Sequence, residues 1–188
     1  MCKQNLPDNF YERIGPRLYR RIGRELRLAR RVLDIGCGPC DLVRYLSEAY
    51  EQDVTGVDIS SERFPGRRRL RQGRRFRCLR RDAGRLLFVD DRSMDAVVML
   101  WALHEMERPE AVLSEIARVL RPGGEVLIVD FPRGSLQERI WKEDFYRPAE
   151  VEQLFAQAGL ADIRVRLIER QQVLWGRAYR PPAETSRT

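Results

Sequence analysis

Short runs of apolar residues alternate along this chain with longer stretches in which apolar residues recur at helical spacing. Continuous apolar runs are typical of strands that are buried on both faces of a sheet. Two such runs, at residues 95–101 and 125–131, predict strands, and three shorter and less continuous apolar stretches predict further strands at residues 32–35, 53–59 and 76–79. Between them, apolar side chains every three or four positions predict helices at about 41–50, from Pro109 to Leu120 and from Pro148 to Ala158. Strands that alternate with helices indicate a parallel, doubly wound sheet.

The two ends of this pattern add elements of a different kind. Residues 10–30 predict an amphipathic helix, which Gly15-Pro16 is expected to break or kink early. Residues 163–168 and 173–179 predict two strands joined by a short turn, which form an antiparallel pair. We therefore expect an α/β fold with a doubly wound, Rossmann-like, seven-stranded and mostly parallel sheet that has an antiparallel C-terminal edge hairpin.

A turn with two glycines follows the first predicted strand. Asp34 lies near the end of that strand, two residues before Gly36; Gly38 follows, and a helical pattern begins at Asp41. Glycines let the backbone approach a ligand closely, and the start of a helix offers free N–H groups. The dinucleotide-binding motif needs a third glycine three residues after the second, and this chain lacks it. The turn therefore predicts a small-molecule cradle and makes a nicotinamide oxidoreductase a distant alternative.

Acidic residues also stand where the next two strands end. Asp58 follows Asp34 by 24 residues, and Asp82 closes the third predicted strand. The carboxyl ends of parallel strands meet at one edge of the sheet, so we expect these side chains to line one crevice. Simpler explanations remain open for each of them. Asp58 can cap a turn, Asp82 can pair with neighbouring arginines, and Asp34 can accept N–H groups of its own loop.

In this order and at these intervals, the motifs of residues 32–180 resemble those of class I S-adenosylmethionine-dependent methyltransferases. The resemblance is nearest to the small "type 11" branch that includes the ubiquinone/menaquinone methyltransferases. The segments that carry it are Asp34-Ile-Gly36-Cys-Gly38, Gly56-Val-Asp58-Ile-Ser60, Arg81-Asp82-Ala83, Trp101-Ala-Leu103-His104-Glu105 and Val119-Leu120-Arg121-Pro122-Gly123-Gly124.

This resemblance implies a cofactor and a set of residues that bind it. The cofactor is S-adenosyl-L-methionine, which leaves as S-adenosyl-L-homocysteine. Gly36 and Gly38 would pack against its amino-acid portion, and Asp58 would hold its ribose. The adenine would lie between Ile59 and the pair Asp82-Ala83. The implied cofactor-binding residues are Asp34, Gly36, Cys37, Gly38, Asp58, Ile59, Asp82, Ala83, Leu100 and Trp101.

Catalysis would be a direct displacement of the methyl group, in which alignment supplies much of the rate. His104 is the candidate general base, because a histidine titrates near neutral pH. The alternative is a histidine that serves packing or a helix start, and Glu105 either orients it or is a surface charge. Four aromatic residues are candidates for a lid or an acceptor pocket, with packing as the alternative: Tyr11, Tyr19, Trp141 and Tyr146.

The composition of the chain narrows the kinds of methyl acceptor but does not identify one. The net charge of +7 comes almost entirely from arginines, which concentrate at residues 17–31 and 63–85. An arginine-rich face suits RNA or a protein assembled on RNA, but a solvated helix face and loop explains it too. The chain has no large insertion that would hold a macromolecule, so a small-molecule acceptor is favoured. A cofactor-binding partner or sensor protein without transferase activity is the third hypothesis.

The remaining sequence features point to a single domain over residues 1–180, followed by a loose tail at 181–188. No apolar run is long enough to span a bilayer and no signal peptide precedes the fold, so a cytoplasmic protein is expected. The oligomeric state is not readable. Cys37 and Cys40 have redox-motif spacing, but small loop residues are the favoured explanation. No metal site is predicted, because a structural zinc site needs four ligands and there is no second cysteine pair.

Overall fold

The computed structural model describes residues 9–65 and 76–182, and within them seven strands form one sheet. These strands are β1 (Arg31–Ile35), β2 (Asp53–Asp58), β3 (Phe76–Arg80), β4 (Met94–Leu100), β5 (Leu120–Asp130), β6 (Ala161–Ile168) and β7 (Val173–Tyr179). Their order is β3-β2-β1-β4-β5-β7-β6. The strands β1 to β5 are parallel, and β7 runs antiparallel to both of its neighbours. The predicted α/β sheet with its antiparallel hairpin is confirmed.

Helices cover both faces of this sheet. They are α1 (Phe10–Glu25), α2 (Asp41–Tyr50), α3 (Pro109–Val119), α4 (Leu136–Trp141) and α5 (Pro148–Gln157), with a short 3-10 helix at Leu103–Glu105. The apolar stripes of α1 and α2 pack on one face of the sheet, and those of α3 and α5 pack on the other. Each fully buried aliphatic side chain stabilises the fold by about 1.5–3 kcal/mol. The two clusters therefore hold the strand ends in fixed positions.

The N-terminal helix is shorter than the predicted span of residues 10–30 and passes through Pro16 without ending there. Proline costs about 3 kcal/mol inside a helix, which the fully buried stripe on either side of it can offset. The helix ends at Glu25 because the chain must then turn into β1. The backbone N–H groups of Arg30 and Arg31 both donate to Asp95 Oδ2, at 2.8 and 2.7 Å, and fix that turn.

The fifth strand begins earlier than predicted. The glycine-rich turn was expected to separate a helix ending at Leu120 from a strand starting at Glu125, but β5 covers Leu120–Asp130 and includes the turn. The reason is tertiary. Gly123 N donates to Arg180 O and Arg180 N donates to Gly124 O, at 2.9 and 2.8 Å. These bonds pair the turn with the residue that follows β7, a partner that local sequence does not indicate.

Some predictions concern residues that the structure leaves undescribed. The arginine-rich run is described only at residues 63–65 and 76–85, the tail only at 181 and 182, and Cys2 lies outside the described residues. In the described ranges, no helix combines the length and the apolar character needed to cross a bilayer. Neither the 3-10 helix nor α4 was predicted from the sequence, since both are single short turns without a periodic pattern.

Candidate functional site

The loop after β1 is shaped so that its backbone faces the crevice between β1 and β4, where the strand order reverses. Gly36 N and Cys37 N both donate to Val57 O of β2, at 2.8 and 3.0 Å. Gly36 and Gly38 have φ angles of +72° and +46°, which favour glycine. A Cβ at Gly36 would lie 2.4 Å from Ala102 Cβ, whereas a Cβ at Gly38 would meet nothing within 4 Å. The first glycine permits close packing and the second leaves open space.

Two cavities of about 350 and 270 Å³ occupy this crevice and share Gly36, Asp58 and Glu105 as lining residues. The larger one surrounds the glycine loop and reaches Tyr19 of α1. The smaller one extends toward Asp82 and the end of β3. All the residues that were predicted to bind the cofactor line one or both cavities: Asp34, Gly36, Cys37, Gly38, Asp58, Ile59, Asp82, Ala83, Leu100 and Trp101.

Hydrogen bonds from the backbone orient two of the strand-end carboxylates. Asp58 Oδ2 accepts from Gly38 N at 2.8 Å, and Asp58 Oδ1 accepts from Ser60 N at 3.0 Å. Asp82 Oδ1 accepts from Gly84 N at 2.8 Å. Asp58 thus does accept hydrogen bonds from turn N–H groups, as the simpler explanation expected. A carboxylate has about four acceptor positions, however, so some of those of Asp58 stay free for a ligand. Among the described residues, no arginine or lysine forms an ion pair with Asp82.

Asp34 is a buried acidic residue that lines the same cavity as the glycine loop. Its side chain is only 2% exposed. Burial, and then the nearby charge of Asp58, raise the pKa of Asp34 to about 8. In the described ranges, neither carboxylate is ion-paired with an arginine or lysine. A cationic ligand beside these two groups would relieve their repulsion and the cost of burial.

His104 lies in the 3-10 helix after β4 and is held by Asp130, the last residue of β5. His104 Nδ1 and Asp130 Oδ1 are 2.8 Å apart, and His104 N donates to Asp130 Oδ2 at 3.0 Å. Phe131 N donates to Asp130 Oδ1 at 2.7 Å. A carboxylate at Nδ1 favours the tautomer with the proton on that nitrogen, which leaves the lone pair on Nε2.

The other ring nitrogen of His104 is ready to accept a ligand. The side chain is 2% exposed, and Nε2 is buried without a hydrogen-bond partner among the described residues. Its nearest carboxylate oxygens are Glu105 Oε1 at 3.9 Å and Glu143 Oε2 at 4.0 Å. Burial opposes the charged ring, but the hydrogen bond and charge of Asp130 and the charges of Glu105 and Glu143 raise the pKa of His104.

Aromatic rings surround this histidine. Trp101 and Phe131 stack with their centroids 4.1 Å apart, and Tyr11 meets Phe131 edge-on at 4.8 Å. Trp141 lies 6.2 Å from the His104 ring. Tyr146 and His104 line a further cavity of about 480 Å³. The structure therefore brings Tyr11, Trp141 and Tyr146 to the histidine side of the crevice and Tyr19 to the glycine-loop side.

Sequence analysis missed several residues of this site. Asp130 was not singled out, although it ends a buried strand in the way that Asp58 does, and that signal was available. Phe131 and Phe145 lie within 5.7 Å of the His104 ring centroid, but nothing in the sequence distinguishes them from core residues.

The cysteines of the loop do not form the pair that their spacing suggested. Cys40 is joined in a disulfide to Cys78 of β3, and Cys37 is a free, buried thiol. The interpretation of Cys37 and Cys40 as only small loop residues is thus wrong for Cys40. The pairing could not be read from the sequence, because it depends on the register between β2 and β3.

The fold and the crevice define an α/β protein with room for a small ligand where the strand order reverses. The family model described as a methyltransferase domain matches residues 33–128, about half of the chain. The chain therefore belongs to the class I S-adenosylmethionine-dependent methyltransferases, and S-adenosylmethionine is the cofactor of this family.

Individual relatives agree with this assignment. The fatty-acid O-methyltransferase of Mycolicibacterium smegmatis is 35% identical over 111 residues, which are 58% of this chain and 40% of the relative. The ubiquinone/menaquinone biosynthesis C-methyltransferase of Cupriavidus metallidurans is 31% identical over 127 residues, 64% of this chain and 49% of the relative. The chain thus spans about half the length, or less, of these relatives. An S-adenosylmethionine-dependent methyltransferase from Archaeoglobus fulgidus shares the fold, with a TM-score of 0.71, 19% identity and coverage of 89% and 93% of the two chains.

Proposed function

We propose that this protein transfers a methyl group from S-adenosylmethionine to a hydroxyl group of a small molecule, with His104 as the general base. The observation that carries the proposal is the buried Nε2 of His104, which has no hydrogen-bond partner among the described residues. Asp130 holds the ring, and the next residue, Glu105, lines both cavities of the crevice. A base is needed when the acceptor loses a proton on methylation. Two relatives are named O-methyltransferases without a stated acceptor, and an oxygen acceptor agrees with the proposal.

The crevice fits the cofactor by shape and by charge. Gly36 and Gly38 would take its amino-acid portion, Asp58 would accept hydrogen bonds from the ribose hydroxyls, and Ile59 and Ala83 would flank the adenine. Asp34 and Asp58 favour a positively charged ligand, because they lie close together without a cationic partner in the described ranges. Bound S-adenosylmethionine supplies a methyl group on a positively charged sulfur, which is activated for displacement.

His104 would accept the proton of the acceptor hydroxyl at Nε2. Asp130 keeps the ring oriented and stabilises the imidazolium that forms, since it already accepts the Nδ1 proton. The raised pKa of His104 makes its imidazole a stronger base. It also means that a smaller fraction of the imidazole is in the neutral, active form at low pH.

The aromatic rings would form the walls of the acceptor site. Trp141 is half-exposed and Tyr146 lines the cavity next to His104, so both are open to a ligand. Helix α1 would cover the site, with Tyr19 over the glycine loop and Tyr11 against Trp101 and Phe131. Such a cover excludes water, which strengthens electrostatic interactions during transfer.

Two experiments test the proposal in sequence. Calorimetry with S-adenosylmethionine and S-adenosylhomocysteine should show binding of both, and the absence of both would refute the cofactor site. Cofactor labelled in its methyl group should then transfer the label to hydroxyl-bearing metabolites in a cell extract, and not to total RNA. Label on RNA would favour the macromolecular alternative, and cofactor binding without transfer to either pool would favour a sensor or partner protein.

A further inference from the structure

The sulfur atoms of Cys37, Cys40 and Cys78 lie close together next to the glycine loop, which is the loop after β1 that holds Gly36 and Gly38 and is called the cofactor loop below. Gly56 of β2 lies opposite Asp34 of β1 on one side and opposite Cys78 of β3 on the other. Side chains at paired positions of neighbouring strands lie on the same face of a sheet. A Cβ at Gly56 would lie 2.8 Å from Cys37 Sγ, so the glycine leaves space for that sulfur. Cys37 from the loop and Cys78 from β3 therefore meet above Gly56.

Cys40 completes the group from the start of α2. The Sγ atoms of Cys37, Cys40 and Cys78 all lie within 4.8 Å of one another. Cys37 Sγ and Cys40 Sγ are 3.8 Å apart, and Cys40 and Cys78 form the disulfide. Cys40 has a φ angle of +62°, a conformation that favours glycine. A cysteine therefore occupies a position whose backbone conformation favours glycine.

The disulfide alone does not account for this arrangement, because it leaves Cys37 as a third sulfur against the bonded pair. Two thiolates on one zinc ion, each with a Zn–S bond of about 2.3 Å in tetrahedral geometry, lie roughly 3.8 Å apart. The separation of Cys37 Sγ and Cys40 Sγ is 3.8 Å. Thiolates select soft ions such as Zn²⁺ and Cu⁺. The N-terminus of α2, where Cys40 is the cap residue, favours negative charge.

We propose that Cys37, Cys40 and Cys78, in their reduced state, bind one thiophilic d¹⁰ cation through three thiolates. Formation of the site begins with reduction of the Cys40–Cys78 disulfide by a thiol reductant, which supplies two electrons and two protons and is itself oxidised to a disulfide. The cation then displaces three thiol protons and forms three metal–sulfur bonds. The bound ion would tie the cofactor loop and α2 to β3, because one ligand comes from each of these elements.

The site is tested on the whole chain of 188 residues, which is reduced with a phosphine and freed of metal under exclusion of oxygen. Zn²⁺ and Cu⁺ are added separately, and bound metal is measured by native mass spectrometry with a thiol count on the unfolded protein. We expect one ion of at least one kind per chain, held by three of the four cysteines. The two arms distinguish Zn²⁺ from Cu⁺. Cd²⁺ serves as a spectroscopic probe, through the ultraviolet charge-transfer absorption of its bonds to thiolates.

Variants separate loss of a ligand from loss of the fold. Cys40→Gly removes one sulfur and suits the positive φ angle, and Cys78→Ser changes a single atom on β3. Since loss of a hydrogen-bond partner of a ligand already weakens metal binding 10–100-fold, loss of a ligand should weaken it by roughly a hundredfold or more. Cys2→Ser is the matched control and should bind as the unmodified chain does. The proposal fails if neither ion binds, if Cys40→Gly and Cys78→Ser retain the ion, or if Cys2→Ser loses it.

Discussion

The carboxylate of Asp130 organises three groups at the centre of the proposed catalytic site. It accepts hydrogen bonds from the backbone N–H groups of His104 and Phe131 and holds Nδ1 of the imidazole. The two backbone bonds fix the carboxylate, so that it can fix the ring in turn. One residue therefore fixes the direction of Nε2 and, together with Glu105 and Glu143, raises the pKa of His104 against the effect of burial.

Replacement of Asp130 by asparagine tests this role. Activity should rise with pH as His104 loses its proton, and Asp130 raises the pKa at which it does so. In Asp130→Asn the rising limb of the rate profile should therefore move to lower pH. The turnover rate should fall by roughly a hundredfold or more, because the asparagine stabilises neither the tautomer nor the imidazolium. Cofactor affinity, measured by calorimetry, should stay the same. A limb that keeps its position would show that His104 is not the titrating base.

Asp58 should decide cofactor affinity and not the pH profile. Hydrogen bonds to charged groups contribute about 1.5–3 kcal/mol, so Asp58→Asn should weaken S-adenosylmethionine binding by roughly tenfold to a hundredfold. Asp53→Asn, at the opposite end of β2, is the matched control because it removes the same charge away from the crevice. Calorimetry on both variants, with thermal unfolding to check the fold, measures the difference. Equal affinities would remove Asp58 from the ribose site.

At the level of elements, α1 contributes a buried stripe and a wall of the crevice. Leu18 is buried, while Leu28, just beyond the helix, is 84% exposed. Leu18→Ala should lower the free energy of unfolding by about 2–5 kcal/mol, because the cavity it leaves is surrounded by packed side chains. Leu28→Ala should change it by about 0.5 kcal/mol or less. Urea unfolding of both variants provides the comparison, and similar values would show that α1 is not docked as described.

Most elements could be predicted because their buried side chains are apolar and recur along the sequence with the period of a strand or a helix. The strands β1 to β4 and the helices α2, α3 and α5 came from apolar runs and helical spacing. What could not be predicted depends on distant partners. The early start of β5 depends on Arg180, and the turn into β1 depends on Asp95. The same limit applies to the site: Asp58 stands in a local motif, but Phe145 and the Cys40–Cys78 pairing arise only from tertiary packing.

At the scale of the whole molecule, the excess of arginine is compatible with a small-molecule acceptor and with an RNA acceptor. The methylation rates of these two kinds of acceptor should depend differently on salt concentration. Transfer to a small hydroxyl acceptor relies on groups inside the crevice, so its rate should change little between 50 and 200 mM salt. An RNA acceptor held through several phosphates would bind on the order of a thousandfold more weakly over the same interval. Initial rates at both salt concentrations, with the acceptor found in the labelled-cofactor screen, make the comparison. A steep loss of activity would point to the macromolecular acceptor.

The position of β7 has a consequence for how the protein is made. Among the strands of the described residues it comes last in sequence, yet it lies between β5 and β6. Until Val173–Tyr179 has emerged from the ribosome, β5 has only β4 beside it, and its apolar residues 126–129 present an unpaired edge. Open apolar edges recruit other chains. The nascent chain is therefore exposed to aggregation from the emergence of β5 until the emergence of β7, and a translational pause ahead of residue 173 would lower the yield of folded protein.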